Sequence, residues 1–269
     1  MKIALIQQHA TPDHEANLQR GILALEQAAA KGARLAVFPE LAFSRFFPQR
    51  RRSQQPPPWA ETIPGPTTDA FAALARKLNI VVVLNLYERD GERTYDSSPV
   101  LDADGSLIGV TRMIHIMEGP CYHETEFYHP GDNGAAVFPT AAGRLGIAIC
   151  YDRHFPEYMR ALGVKDAEIV VVPQAGSVGE WPAGIFEAEL QVAGFQNGYF
   201  TALANRVGPE ECLTFAGESF VTDPMGQVIA RAPTGEDHIL FANLDFSLMK
   251  ECPARRHFMR DRRPDIYPL

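Results

Sequence analysis

Cysteine is scarce in this chain and unpatterned: Cys121, Cys150, Cys212 and Cys252 are scattered, with no CxxC pair among them. That favours reduced thiols over a disulfide framework, so a cytoplasmic protein with at least one chemically free thiol is expected. Long apolar runs are missing too. No uninterrupted stretch reaches the roughly 18 residues that a membrane span requires, and the opening MKIALIQQHATPD turns polar too soon for a secretory signal. Positive charge is in deficit, with 25 Lys and Arg against 33 Asp and Glu and a net charge of −8. A nucleic-acid partner is therefore not expected. The clusters Arg50-Arg51-Arg52 and Arg260, Arg262, Arg263 read as solvated surface charge.

What is present is globular. With 46% hydrophobic residues over 269 positions, residues 1–269 can bury the core of one large domain. The first third alternates KIALIQQ, a helix from Asp13 stopped at Gly32, RLAVFPE, the helical TTDAFAALARKLN, and IVVVLNLYE. The second half repeats the plan: RLGIAICYD, FPEYMRALGV, AEIVVVPQAG, GIFEAELQVAGFQNG and YFTALANRVG. Val100–Gly109 (VLDADGSLIG) matches Val221–Ala230 (VTDPMGQVIA) in pattern, and VFPE at Val37 matches VVPQ at Val171. Alternating βα units establish only an α/β class. The duplication adds the expectation of a four-layer α-β-β-α sandwich with internal pseudo-two-fold symmetry, against the alternative of one doubly wound sheet. The loop SRFFPQRRRSQQPPPWAETIPGP is too long for a plain connection and reads as a lid or subunit contact.

Two residues stand out chemically. Cys150 ends an apolar strand just before a helix start near Phe155-Pro156, where N–H groups and the helix dipole favour a thiolate. Glu40, in AVFPELAF, ends another core strand in apolar surroundings that raise a carboxyl's proton affinity and suit a general base. Both strand ends can meet at one rim. A cysteine ending a strand is, however, ordinarily a small buried hydrophobe. His154, four residues after Cys150, leaves a Cys–His arrangement open. The set Cys121, His123, Glu124, Glu126 and His129 fits no standard zinc spacing, so no metal is expected.

VFPELAF, EFYHPGD, AICYDRHFPE, ANRVG and DPMGQVIA, in order over nearly the whole chain, resemble the nitrilase superfamily of carbon–nitrogen hydrolases. The stretches IHIMEGPCYHETEFYHPGD and RHFMRDRRPDIY are most similar to its N-carbamoylputrescine amidase and carbamoyl-amide branch. The resemblance implies an α-β-β-α fold, no cofactor, a homo-oligomer with residues 247–269 as an extension at a subunit interface, and hydrolysis of a small amide or N-carbamoyl amine. Carried over by position, it implies Cys150 as nucleophile, Glu40 as base, Glu124 as auxiliary glutamate and the Tyr151 N–H as oxyanion donor. His154 and Trp181 fall among substrate-binding positions, with Glu180, Glu187, Gln191, Phe46, Phe47 and Trp59 around the mouth. The family's lysine stands two residues before a histidine. Here that pattern reads Arg112-Met113-Ile114-His115, so Met113 takes the lysine position. The expected consequence is activity absent or much weakened, unless Arg112, His115 or His154 reaches the site; a non-catalytic binding or regulatory protein is the alternative.

Overall fold

The computed structural model describes residues 1–53 and 57–267, so the middle of the predicted lid (54–56) lies outside the described residues. Strand alternation sets the layers. In Lys2–Gln7, Ile3 and Leu5 face one core while Ala4 and Ile6 face another, as a period of two requires. Ala4 and Ile6 pack with Leu25 and Ala28 of α1 (His14–Ala30) and with Phe71 and Ala75 of α2 (Pro66–Leu78). Ile3 and Leu5 instead meet Leu145, Ile147, Ile169 and Val171 of a second sheet. That sheet's other face buries Val170 and Val172 against Tyr158 and Leu162 of α3 (Pro156–Val164) and Leu190 of α4 (Ile185–Asn197). The order is helices, sheet, sheet, helices.

Both sheets follow one plan. In the first, Lys2–Gln7, Leu35–Val37 and Val81–Val83 run parallel, and Arg93–Leu101 pairs antiparallel to the third. In the second, Gly143–Ile147, Ile169–Gln174 and Phe200–Asn205 run parallel, with Phe220–Thr222 antiparallel to the third. His238–Asn243 returns to pair with Lys2–Gln7 and closes the first sheet. The matched segments VLDADGSLIG and VTDPMGQVIA are equivalent antiparallel hairpins in the two sheets. The four-layer duplication read from the sequence is the observed architecture.

Local chemistry fixes the ends. The side chain of Asp13 caps α1 by accepting the Ala16 N–H at 3.0 Å, and Gly32 beyond the helix takes φ +82°. Gly131, in HPGD, lies so close to the strand Leu107–Arg112 that a Cβ would stand 2.4 Å from the Arg112 carbonyl oxygen. Only glycine fits there, and its N–H donates to the Met113 carbonyl at 2.7 Å. This contact holds the chain beside position 113.

One expectation is corrected. Cys121 and Cys212, 91 residues apart, form a disulfide. Their separation carries no signal in sequence; the two loops meet only because the fold wraps both over the same rim. Cys150 and Cys252 are the free, buried thiols. The bridge removes the reduced-thiol argument for a cytoplasmic location. No helix among the described residues is long and apolar enough to cross a membrane.

Candidate active site

The rim where the parallel strands end brings Glu40 and Cys150 together, as their positions in sequence imply. Cys150 opens the 3₁₀ turn Cys150–His154 with φ 43°, and Leu41, next to Glu40, has φ 45°. Left-handed backbone at residues other than glycine is strained and persists only where neighbours hold it. For Leu41 the neighbours are explicit. Its N–H donates to Asn85 Oδ1 at 2.7 Å, and its carbonyl accepts Arg206 Nη1 at 2.6 Å. Arg206 also donates to the Glu40 carbonyl (2.8 Å), the Ser44 carbonyl (2.9 Å) and Glu210 Oε1 (2.5 Å). One fully buried guanidinium thus pins the turn that carries Glu40.

The sulfur of Cys150 is surrounded by three groups. The Glu40 carboxyl stands against the thiol, the Ala175 N–H points at it, and Gln174 Nε2 donates to Sγ at 3.3 Å. Gln174 is held in turn by Arg153, whose Nε donates to Gln174 Oε1 at 3.1 Å. Glu40 and Gln174 are the pseudo-symmetric residues of VFPE and VVPQ, each delivered from a strand end. Glu124, in the turn Glu124–Glu126, is fully buried and accepts the Met117 N–H at 3.1 Å.

Electrostatics depart from the sequence expectation at the thiol. Burial, then the carboxyls of Glu40, Glu124 and Glu180, push the Cys150 thiol up, against the Ala175 N–H that lowers it. Proximity to N–H groups does not win because Cys150 is only 6% exposed and its sulfur faces carboxyls. Burial raises Glu40 as well, reinforced by Asp96 and Glu124 and opposed by its contact with the thiol. It also raises Glu124, where the Met117 N–H opposes it and Asp96 adds to it. Asp96 is pushed up to about 7 by burial, against the Asn85 hydrogen bond and the contact with Glu40 that lower it.

Met113 is fully buried and shares a hydrophobic cluster with Cys150. None of the three proposed substitute cations comes to the sulfur. Arg112 turns to the opposite face, with Nη2 on Glu88 (2.6 Å) and Asp90 (2.8 Å). His115 Nδ1 pairs with Asp152 at 2.7 Å, and His154 Nδ1 with Glu189 at 2.8 Å. Sequence reasoning missed Arg153, which approaches only through Gln174 and has Glu189 at 2.5 Å. It missed Asn85, Asp152 and Arg206 as well. A charged residue inside an apolar strand end, as in ALANRVG, was the available signal for Arg206.

Tyr151, His154 and Trp181 lie together: the Tyr151 and His154 rings are 5.4 Å apart, and those of His154 and Trp181 4.8 Å. Beyond them opens a cavity of about 670 Å³ lined by Ser177, Glu180, Trp181, Phe186 and Phe215. Tyr122 closes its inner side, donating towards Ser177 Oγ at 3.0 Å and Glu180 Oε2 at 3.3 Å. Of the long loop, Phe46 packs on the lining residue Phe215 and on Tyr122 at 5.7 Å each, whereas Phe47, against Trp59 at 6.2 Å and Tyr87 at 4.8 Å, lies outside the cavity's lining. Glu187 and Gln191 are not at the mouth: Glu187 pairs with Arg231 and Gln191 donates to the Gly226 carbonyl. Nor do the suggested zinc ligands converge. Cys121 is bridged to Cys212, His123 bonds Glu118, Glu126 holds Arg51, and His129 lies against the Thr94 carbonyl.

The carbon–nitrogen hydrolase family profile matches residues 2–254. The chain belongs to the carbon–nitrogen hydrolase family. It is 34% identical to the citrullinase of Francisella tularensis, over 99% of this chain and 96% of that protein. It is 30% identical to the N-carbamoylputrescine amidase of Arabidopsis thaliana, over 99% and 94%. A carbon–nitrogen hydrolase from Helicobacter pylori superposes with a TM-score of 0.87 at 28% identity, covering 99% and 97%. A mutant amidase from Nesterenkonia sp., in which the acetamide moiety of fluoroacetamide is covalently added at the active site cysteine, superposes with a TM-score of 0.82 at 26% identity, covering 99% and 95%. The two-sheet scaffold is thus shared with an amidase whose active site cysteine carries a covalently added group.

Proposed function

We propose that this chain hydrolyses non-peptide C–N bonds of small amides or N-carbamoyl amines through Cys150, with turnover much weakened because Met113 stands where a lysine is needed. The observation that carries the reading is the strained Cys150 with the Glu40 carboxyl against its sulfur. Glu40 takes the thiol proton, the sulfur attacks the carbonyl carbon, and the Tyr151 N–H faces the oxyanion. Glu40 returns the proton to the leaving amine, and a water activated by the same carboxylate releases the acyl group. No fixed cation among the described residues assists either step, and removing one oxyanion donor lowers rates by about 10²–10³ in comparable sites.

The test is intact-mass analysis after incubation with a panel of small amides and N-carbamoyl amines. A slowly accumulating adduct is expected in the unmutated protein and none in Cys150→Ala. Fast turnover abolished by Cys150→Ala would refute the weakening. No adduct on any substrate would leave the second reading, a small-molecule binding protein without catalysis, which is favoured by the raised thiol and by a carboxyl cluster lacking a cation.

Glu180 points the substrate reading towards a cationic far end. It lies behind the thiol, accepting the Ser177 N–H at 2.9 Å, and lines the cavity. The relatives named citrullinase and N-carbamoylputrescine amidase support an N-carbamoyl amine. In a Cys150→Ala background, Glu180→Gln is expected to weaken calorimetric binding of a mono-N-carbamoyl diamine about tenfold, the worth of one charge-assisted hydrogen bond, and to leave binding of an uncharged N-carbamoyl alkylamine unchanged. Equal loss for both ligands would contradict an ionic role.

We also propose a homo-oligomer through the face of α3 and α4. There a groove of about 600 Å³ is lined by Pro156, Met159, Val192 and Tyr267, with Val192 and Tyr267 exposed. The tail, residues 247–269, lies on this side where described: Arg255 anchors it to the Gly198 and Ala167 carbonyls.

A further inference from the structure

Asp96 is fully buried beside the catalytic rim, yet the mechanism above gives it no task. It sits in the strand Arg93–Leu101, where Asn85 Nδ2 donates to its Oδ1 at 2.5 Å. Among the described residues its Oδ2 has no donor, and neither oxygen of Glu40 has an aligned one. The two carboxyls stand against each other. Two ionised carboxylates in contact repel strongly; one proton between them turns the contact into a hydrogen bond and satisfies both orphaned sides.

We propose that Glu40 and Asp96 form a proton-sharing carboxyl pair, with Asp96 as the positioning residue that holds beside Glu40 the hydrogen a fixed cation would otherwise supply. The pair rests at charge −1. When Cys150 is activated, its S–H bond breaks and an O–H bond forms on Glu40. The pair then carries two protons and no charge, and the sulfur carries −1. Protonation of the leaving amine returns the pair to −1. Asp96 touches neither sulfur nor substrate and acts through Glu40 alone.

The surroundings leave the proton as the available positive partner. Facing the pair are Glu124 and the buried hydroxyl of Tyr128, which also lacks a partner. Asp152 is already committed to His115 and Glu180 to Ser177 and Tyr122. Arg153 is engaged by Gln174 and Glu189 through Nε and Nη1, and its buried Nη2 is left without a partner among the described residues. From the adjoining strand, position 113 contributes its N–H to the Asp96 carbonyl at 2.9 Å and an apolar side chain.

The proposal rests on the reading of Glu40 as base to Cys150, but its test needs no substrate amide, so failure of hydrolysis leaves it standing. Iodoacetamide alkylation of Cys150 is followed by peptide mass from pH 5 to 10 in the unmutated protein and in Asp96→Asn. As the pair loses its proton, the unmutated thiol faces a second charge, which Asp96→Asn never develops. The variant is expected to alkylate about tenfold faster near pH 9, one unit of like-charge shift, with no difference near pH 6. Thermal midpoints add an independent readout. Asp96 binds its proton more tightly folded (about 7) than at the ordinary 3.8, so its stabilisation is present below that ordinary value and is lost as pH rises through about 7. The unmutated protein should lose several degrees more than Asp96→Asn between pH 4.5 and 8. Parallel alkylation and parallel stability profiles would show a merely structural Asp96 and overturn the pair. Should Asp96→Asn not fold, infrared titration of the unmutated protein decides: one protonated buried carboxyl lost near pH 7 supports the pair, and none lost between pH 5 and 9 overturns it.

Discussion

Met113→Lys is expected to raise kcat/KM for the best small amide or N-carbamoyl amine by about 10²–10³, the worth of one oxyanion donor in a desolvated site. Methionine and lysine stems are similar in length, and the lysine stem can follow the same buried path with its ammonium carried beyond the sulfur position. Burial raises three carboxyls in this neighbourhood, Glu40, Asp96 and Glu124, and the charge of Asp96 adds to the rise of the other two. A cation among them lowers all three and lets Glu40 accept the thiol proton at neutral pH. The acid limb of the rate profile should accordingly move to lower pH in the variant. A folded Met113→Lys protein with no gain on any substrate that acylates Cys150 would remove position 113 as the cause of weak turnover.

Arg206→Met is the variant expected to harm the fold most. Its guanidinium has four acceptors, three of them carbonyls in the turn from Glu40 to Ser44, and the fourth is the Glu210 carboxyl. Removing it strands the Glu210 charge and three carbonyl oxygens in a dry interior. Breaking a buried pair in this way costs about 3–5 kcal/mol. In a domain of this size that corresponds to a fall of roughly 10 °C in the unfolding midpoint. Calorimetry checks it, and a loss below about 1 kcal/mol would mean that water replaces the arginine. Cys150 alkylation should also change in the folded fraction, because the strained Leu41 loses its carbonyl partner and Glu40 its anchor.

The architecture was legible because the duplication is written in strong βα periodicity and matched hairpins, and the Cys150–Glu40 meeting followed from two strand ends. Other features depend on contacts no spacing encodes. The Cys121–Cys212 bridge joins loops 91 residues apart. Asp96 acquires its meaning only where the antiparallel strand Arg93–Leu101 places it against Glu40. The thiol's environment was misjudged because local dipoles are visible in sequence, whereas the carboxyls that outweigh them come from elsewhere in the fold. Glu187 and Gln191 read as mouth residues in the sequence, but α4 turns them towards Arg231 and Gly226.

The internal two-fold has a consequence for how the nucleophile is held. Glu40 and Gln174 occupy one position twice over, and both side chains arrive at one sulfur. An acid and its neutral amide therefore divide a single ancestral place between two copies. In the proposed reaction one copy moves a proton, while the other, locked by Arg153, stays still. Duplication gave this fold a moving part and its bearing from the same blueprint.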